Sequence, residues 1–167
     1  MTLPMESSQH ETTQHSDPQR RNQSAAATVM VERSIEAVFD FMADGSNDPR
    51  WQTWVSSSEL LCHGGGVGAT YRQSVHDTVL GGRQFQYRLV HHHRPVLLGV
   101  EALSLADHPR ASFRLTPVGP ALTGVSLAVE LTGTGTPAAP AAGAVRWRER
   151  LVDSLPHLKA CLEQPPS

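Results

Sequence analysis

Apolar residues recur with helical spacing between Ser34 and Gly45. Their spacing of i, i+3, i+4 and i+7 places them on one face of a helix, with acidic residues on the other face. The apolar stripe contains Ile35, Val38, Phe39 and Met42, and the acidic positions are Glu36, Asp40 and Asp44. Serine is a common N-cap residue and glycine often follows a helix end, so Ser34 and Gly45 bound the first predicted helix.

A second, shorter helix is predicted directly afterwards. Asp48 is a suitable N-cap, and Pro49 suits the first helical position. One face of this helix carries Trp51, Trp54 and Val55. Two tryptophans on so short a helix indicate that it covers a hollow, so we expect Trp51 and Trp54 to close and line a pocket.

Runs with the alternation typical of strands surround these helices. The predicted strands are residues 26–32, 57–62, 67–78, 83–93, 98–105, 110–118 and 122–134. Turn residues such as Asp107-His108-Pro109 and Gly119-Pro120-Ala121 separate them at short intervals. This spacing favours an antiparallel meander over a parallel sheet.

A long helix is predicted near the end of the chain, over residues 147–162. Its apolar stripe contains Trp147, Leu151, Leu155, Leu158 and Leu162. Pro156 removes one backbone hydrogen bond from this helix, which predicts a bend. Residues 1–24 are polar and lack periodicity, so we expect a disordered tail followed by a single domain over residues 25–164.

The order of these elements resembles the START-like superfamily of polyketide cyclases and dehydrases, also called SRPBCC. The resemblance rests on a first helix ending Phe41-Met42-Ala43-Asp44, the Pro49-Arg50-Trp51 helix, the glycine-introduced strand at residues 66–72, and the long last helix. It implies an α+β helix-grip fold, in which a curved seven-stranded antiparallel sheet wraps around the C-terminal helix and two short helices lie between strands 1 and 2. The superfamily includes cyclases, lipid carriers, hormone receptors and plant allergens, so the fold implies a ligand cavity without naming an activity.

Composition excludes several classes of partner. The formal net charge is -2 and no basic run occurs, so we expect no nucleic-acid or membrane partner. Cys62 and Cys161 lack a CxxC partner, which favours two small apolar side chains in a reducing cytoplasm over a disulfide. The sequence shows neither a signal peptide nor an apolar run long enough to span a membrane, and a cytoplasmic location is expected.

Because successive side chains of a strand point to opposite faces of the sheet, alternation assigns each one to the inner or the outer face. The residues that we place inside include Phe85, Tyr87, Leu89, His91 and His93 of strand 4, Tyr71 and Gln73 of strand 3, and Phe113 of strand 6. Glu101 is ambiguous, since Leu103 and Leu105 put it inside whereas Val100 and Ala102 put it outside. We assign Glu101 to the inner face.

An inward glutamate among aromatic rings would have a raised pKa, which suits a general acid or base. Glu101 is therefore the predicted catalytic residue, with Tyr71 and Tyr87 polarising substrate oxygens and His91 as a further candidate. The predicted ligand-binding residues are Trp51, Trp54, Gln73, Phe85, Leu89, Phe113, Trp147 and Leu151. The alternatives are a solvent-facing Glu101, tyrosines that only fill the core, and a solvated rim of histidines. Two imidazoles without a third ligand do not make a metal site, so no metal is expected.

The resulting functional hypothesis is a cofactor-independent cyclase or dehydratase that acts on a polyketide-like or aromatic intermediate of bacterial secondary metabolism. The first alternative is a non-catalytic carrier of a hydrophobic small molecule, and the second is a structural or regulatory partner with a filled cavity. The expected partner is a hydrophobic or aromatic small molecule. A carrier-protein contact through the arginines at residues 146–150 stays open, as does the choice between monomer and homodimer.

Overall fold

The computed structural model describes residues 26–62, 64–76, 83–130 and 142–165. The elements in chain order are β1 (Ala27–Val31), α1 (Ile35–Ala43), a 3₁₀ turn (Gly45–Asn47), α2 (Asp48–Trp51), β2 (Val55–Leu60), β3 (Thr70–Val75), β4 (Gln84–His93), β5 (Leu97–Ala102), β6 (Arg110–Gly119), β7 (Leu122–Val129) and α3 (Ala142–Glu163). The predicted tail at residues 1–24, the turn at residues 80–82 and the end of strand 7 at residues 131–134 lie outside the described residues.

The seven strands form one antiparallel sheet in the order β1-β7-β6-β5-β4-β3-β2. Strands β2 to β6 each pair with the next strand along the chain, and β1 pairs with β7, so that β1 and β2 form the two edges of the sheet. With the long α3 and the short helices between β1 and β2, this confirms the predicted α+β helix-grip fold.

Helix α1 begins and packs as its sequence predicts. The Ser34 hydroxyl accepts a hydrogen bond from the Ala37 amide at 3.3 Å, which satisfies one free N–H of the first turn. The buried face is made of Val38, Phe39 and Met42. On the outer side, Arg94 donates to both oxygens of Asp40 at 2.7 and 2.8 Å and so ties the helix to the β4–β5 turn.

The boundary between α1 and α2 differs from the prediction. Asp44 caps the 3₁₀ turn, accepting from the Ser46 amide at 3.0 Å. The N-cap position of α2 is Asn47, and Asp48 is the first residue of the helix rather than its cap. Asp48 is only 2% exposed, so its carboxyl points into the protein instead of covering the helix end.

Helix α3 packs on the concave side of the sheet through its predicted stripe. Its buried residues are Ala144, Trp147, Leu151, Ser154, Leu155 and Leu158. At its C-terminal end, Glu163 accepts from the Glu32 amide at 2.8 Å and Lys159 donates to the Met30 carbonyl at 3.1 Å. These bonds join the last turn of α3 to the end of β1. Pro156 lies inside the helix, and the bend there stays a prediction.

Candidate functional site

The concave face holds a small cavity between the sheet and the helices α2 and α3. Its volume is about 30 Å³, enough for roughly two water molecules. Its walls are mostly aromatic and aliphatic. They comprise Met42, Asp48, Trp51, Gln52, Gln73, Phe85, Tyr87, Leu89, Leu98, Val100, Phe113, Trp147 and Leu151.

A buried polar cluster lies at one end of this cavity. Tyr87 donates its hydroxyl proton to Oδ2 of Asp48 at 2.5 Å, and Gln73 Nε2 donates to the same oxygen at 2.8 Å. Gln73 Nε2 also approaches Gln52 Oε1 at 3.5 Å. These contacts connect α2 to β3 and β4, and they place a carboxyl among aromatic rings.

The environment of Asp48 changes its acidity. Burial raises the pKa of Asp48 to about 7, and the hydrogen bonds from Tyr87 and Gln73 oppose that rise only in part. The Trp51 indole N–H also lowers the Asp48 pKa, although the two groups do not reach hydrogen-bond geometry. Burial and the neighbouring Asp48 carboxyl raise the pKa of Tyr87 well above its ordinary value, so Tyr87 stays a proton donor.

Gly45 allows the side chains of Tyr71 and Tyr87 to pack directly against the 3₁₀ turn. The Tyr71 and Tyr87 rings stack with centroids 5.4 Å apart and planes 18° apart. A Cβ at position 45 would lie 2.3 Å from the Tyr87 hydroxyl oxygen and 2.7 Å from the Tyr71 ring, closer than real Cβ atoms approach other atoms. Any side chain at position 45 would therefore displace the tyrosine that holds Asp48.

The prediction that Glu101 faces the cavity is wrong. Glu101 is paired with Arg88 on β4, and its carboxylate forms ion pairs with Arg88 and, at 3.3 Å, with Arg110. The inward face of β5 is formed by Leu98, Val100 and Ala102, because Leu98 and Val100 line the cavity and Ala102 pairs with Tyr87. The arginines lower the pKa of Glu101 instead of raising it. Glu101 therefore lies on the outer face of the sheet and does not reach the cavity.

The inward placement of His91 and His93 is also wrong. A β-bulge between Leu89 and His91 shifts the alternation of β4, so that Leu89 faces inward and His91 is exposed beside Gly99. His92 instead packs edge-to-face on Phe39, with ring centroids 5.1 Å apart. Among the residues that the structure describes, no group of three His, Cys, Asp or Glu side chains could hold a metal ion.

Seven of the eight predicted ligand-binding residues line the cavity, namely Trp51, Gln73, Phe85, Leu89, Phe113, Trp147 and Leu151, and so does Tyr87. Trp54 does not line it, because its indole packs edge-to-face against Phe85 in the core. Tyr71 is buried but supports Tyr87 without lining the cavity.

Five cavity-lining residues were not predicted, namely Met42, Asp48, Gln52, Leu98 and Val100, and Asp48 is the titratable one. A signal was present, since Asp48 and Trp51 are three residues apart and so share a helical face. Assigning Asp48 as a cap directed its carboxyl to the helix end and away from the pocket that Trp51 was expected to line.

Comparisons with solved structures agree on the fold. The chain matches an uncharacterised Bacillus thuringiensis protein with a TM-score of 0.64 and 14% identity, covering 85% of this chain and 99% of that one. The di-domain aromatase/cyclase StfQ from the steffimycin biosynthetic pathway matches with a TM-score of 0.59 and 21% identity, over 82% of this chain and 44% of that one. Zhui, an aromatase/cyclase from Streptomyces sp. R1128, matches with a TM-score of 0.51 and 18% identity, over 81% and 85% of the two chains.

A comparison with curated proteins gives no match. None of the helices in the described part of the chain is long and apolar enough to cross a membrane. The model of one family, described as polyketide cyclase / dehydrase and lipid transport, matches residues 22–163. The chain therefore belongs to the polyketide cyclase/dehydrase and lipid transport family, as its helix elements and glycine-introduced strand predicted.

Proposed function

We propose that this protein is a cofactor-independent cyclase or dehydratase for a polyketide-like or aromatic intermediate, and that Asp48 is its acid–base residue. The observation that carries the proposal is a carboxyl that is 2% exposed, has a pKa of about 7 and borders an aromatic cavity. A pKa near neutrality means that both protonation states of Asp48 are populated in the cell. Such a group can take a proton and return it within one turnover.

A dehydration needs two proton transfers, and one carboxyl can supply both. Ionised Asp48 takes a proton from the carbon next to a ketone, which leaves an enolate. The protonated carboxyl then gives that proton to a hydroxyl on the adjacent carbon, the C–O bond breaks, and water leaves as the double bond forms. The same enolate attacking a second carbonyl gives an aldol ring closure, after which Asp48 protonates the new alkoxide.

Tyr87 and Gln73 are positioning residues in this scheme. Both donate to Oδ2 of Asp48, which fixes the carboxyl against β3 and β4 and offsets part of the cost of burying its charge. The aromatic walls formed by Phe85, Phe113 and Trp147 exclude water from the enolate.

Ligand binding requires the cavity to open, because ligand pockets usually enclose at least roughly 300 Å³. The apolar walls contributed by α2 and α3 are the side chains of Trp51, Trp147 and Leu151. These side chains can move without breaking a hydrogen bond of the sheet. We therefore place ligand access between α2 and α3.

The family supports the substrate class, since its description names polyketide cyclases and dehydrases. The fold is also that of aromatase/cyclases, including StfQ and Zhui.

The proposal is tested by native mass spectrometry of the protein purified from its host, followed by incubation of the captured compound with the enzyme. We expect loss of one water or ring closure with the wild type and a loss of at least about 100-fold in rate with Asp48→Asn, as for removal of an acid–base group. Glu101→Gln is the matched control, because its carboxylate lies on the outer face, and it should keep wild-type turnover. Full turnover by Asp48→Asn would contradict the assignment.

The second candidate is a non-catalytic carrier of a hydrophobic molecule. It is favoured by the mostly apolar walls and by the existing hydrogen bonds of Asp48, which could serve only to hold α2 on the sheet. A compound that co-purifies with the protein and is returned unchanged by both the wild type and Asp48→Asn would support the carrier.

A further inference from the structure

Two buried polar atoms at the cavity have no hydrogen-bond partner within the described part of the chain. They are the amide oxygen of Gln73 and the indole N–H of Trp51. Gln73 is 1% exposed and Trp51 is 2% exposed, and both line the cavity beside Asp48. A buried polar group without a hydrogen-bond partner is destabilising, so a hydrogen-bonding ligand group is favoured here.

The orientation of the Gln73 amide is set by its neighbours. Its nitrogen faces two acceptors, Asp48 Oδ2 at 2.8 Å and Gln52 Oε1 at 3.5 Å. With Asp48 ionised, the opposite orientation would place the Gln73 oxygen against the oxygens of Asp48 and Gln52. The free atom of Gln73 is therefore an acceptor.

Other atoms at this end of the cavity add acceptors. Tyr87 donates its hydroxyl proton to Asp48, so the Tyr87 oxygen can only accept a further hydrogen bond. Among the described residues that line the cavity, the fully buried donor without a partner is the Trp51 N–H, and it lies close enough to Asp48 to lower the pKa of that carboxyl.

We propose that this end of the cavity selects a hydroxyl group on an otherwise apolar ligand, as in a phenol or an alcohol. A hydroxyl donates to Gln73 Oε1 and accepts from Trp51 Nε1, so it satisfies both atoms at once. A ketone or aldehyde accepts from Trp51 but leaves the Gln73 oxygen unpaired. A carboxylate repels Asp48 as well.

This inference rests on the proposed function in that the cavity must be the ligand site, but it does not depend on catalysis. It also deepens the mechanism, because a hydroxyl held between Gln73 and Trp51 lies beside Asp48. That is the place from which a protonated carboxyl can release it as water.

The test compares three probes of similar shape, 1-naphthol, naphthalene and 1-naphthaldehyde, by calorimetric titration of the full chain. We expect 1-naphthol to bind about tenfold more tightly than naphthalene, and 1-naphthaldehyde to bind no better than naphthalene. Gln73→Leu should abolish the preference for 1-naphthol. Gln84→Leu is the control, since Gln84 is exposed on the outer face of β4.

A second pair of variants guards against misfolding of Gln73→Leu. Trp51→Phe removes the indole donor and should reduce the preference several-fold, whereas Trp54→Phe should not, because Trp54 does not line the cavity. Near-ultraviolet circular dichroism checks that each variant keeps its packing.

The outcomes separate the two proposals. Equal binding of 1-naphthol and naphthalene to the wild type overturns the hydroxyl inference and leaves the proposed function standing. A preference that survives in both folded Gln73→Leu and folded Trp51→Phe overturns the inference as well. Binding of none of the three probes overturns the inference and contradicts an accessible ligand cavity. Asp48→Asn that keeps the preference but loses turnover supports both proposals.

Discussion

At the residue scale, the candidate site depends on one carboxyl whose environment opposes its charge. Asp48 is held by Tyr87 and Gln73, yet burial still raises its pKa to about 7. Glu101 shows the opposite case on the outer face, where two arginines lower its pKa. The two carboxylates therefore affect stability in different pH ranges and in opposite directions.

Asp48 should make the free energy of unfolding fall as the pH rises. Its pKa is about 7 when folded and 3.8 without the fold, so the folded protein binds the extra proton between these values. Stability should decrease over that range by up to about 4 kcal/mol and level off above it. Urea unfolding of Asp48→Asn at a series of pH values should show a flatter profile.

Glu101→Gln is the control for that titration. Because the Glu101 pKa is lowered in the folded protein, its contribution to stability is present above the ordinary glutamate pKa of 4.5 and is lost as the pH falls below it. The decrease between about pH 4 and pH 7 should therefore remain in Glu101→Gln. An unchanged pH profile in Asp48→Asn would show that Asp48 titrates normally.

Gly45 provides a second residue-scale prediction. Gly45→Ala forces a methyl group to within 2.3 Å of the Tyr87 oxygen, so the Tyr87–Asp48 hydrogen bond should break. We expect a loss of about 1–3 kcal/mol in thermal or chemical unfolding and weaker ligand binding. Gly65→Ala, where a Cβ meets nothing within 4 Å, should match the wild type. Equal stability of the two variants would contradict the close approach.

At the element scale, hydrophobic spacing predicted the helices and strands because burial on one face fixes their period. The stripe of α1 and the inward residues of β3, β6 and β7 follow that rule. The wrong predictions occurred where a single residue changes which face of the sheet a side chain occupies. The bulge after Leu89 turns the side chain of His91 away from the inner face of the sheet. Apolar residues on both faces of β5 left the orientation of Glu101 ambiguous. The partners of Glu101 come from β4 and β6, and no local pattern specifies them.

The contact between α3 and β1 gives a prediction at this scale. Glu163 accepts a hydrogen bond from the Glu32 amide, so Glu163→Ala should expose that amide to solvent. We expect faster hydrogen exchange at Glu32, measured by NMR, with little change in the centre of β7. Glu149→Ala, an exposed position on the same helix, is the control. Unchanged exchange at Glu32 would mean that this contact does not hold the end of β1.

At the scale of the whole molecule, the sheet and α3 create a concave space that side chains nearly fill. The fold alone predicted a cavity, but its size depends on how Trp51, Trp147 and Leu151 pack, which the sequence does not reveal. The proposed function therefore requires motion of these side chains or a ligand small enough to fit among them.

Enlarging the cavity should improve binding at the expense of stability. Leu151→Ala removes a wall of the cavity, and we expect a loss of about 2–5 kcal/mol in unfolding together with tighter binding of 1-naphthol. Leu115→Ala is the control, because Leu115 is 2% exposed but does not line the cavity. It should lose similar stability without any gain in binding. Tighter binding of 1-naphthol by both variants would indicate that loss of core packing in general, rather than enlargement of the cavity, improves binding.

The most direct test of the central claim is a carbon-13 NMR titration of the protein labelled at its aspartate carboxyl carbons, with Asp48→Asn used to assign the signal. We expect the Asp48 carboxyl to titrate with a midpoint of about 7 in the folded protein. A midpoint at or below the ordinary aspartate value of 3.8 would contradict the proposed role of Asp48 as the acid–base residue of the cavity.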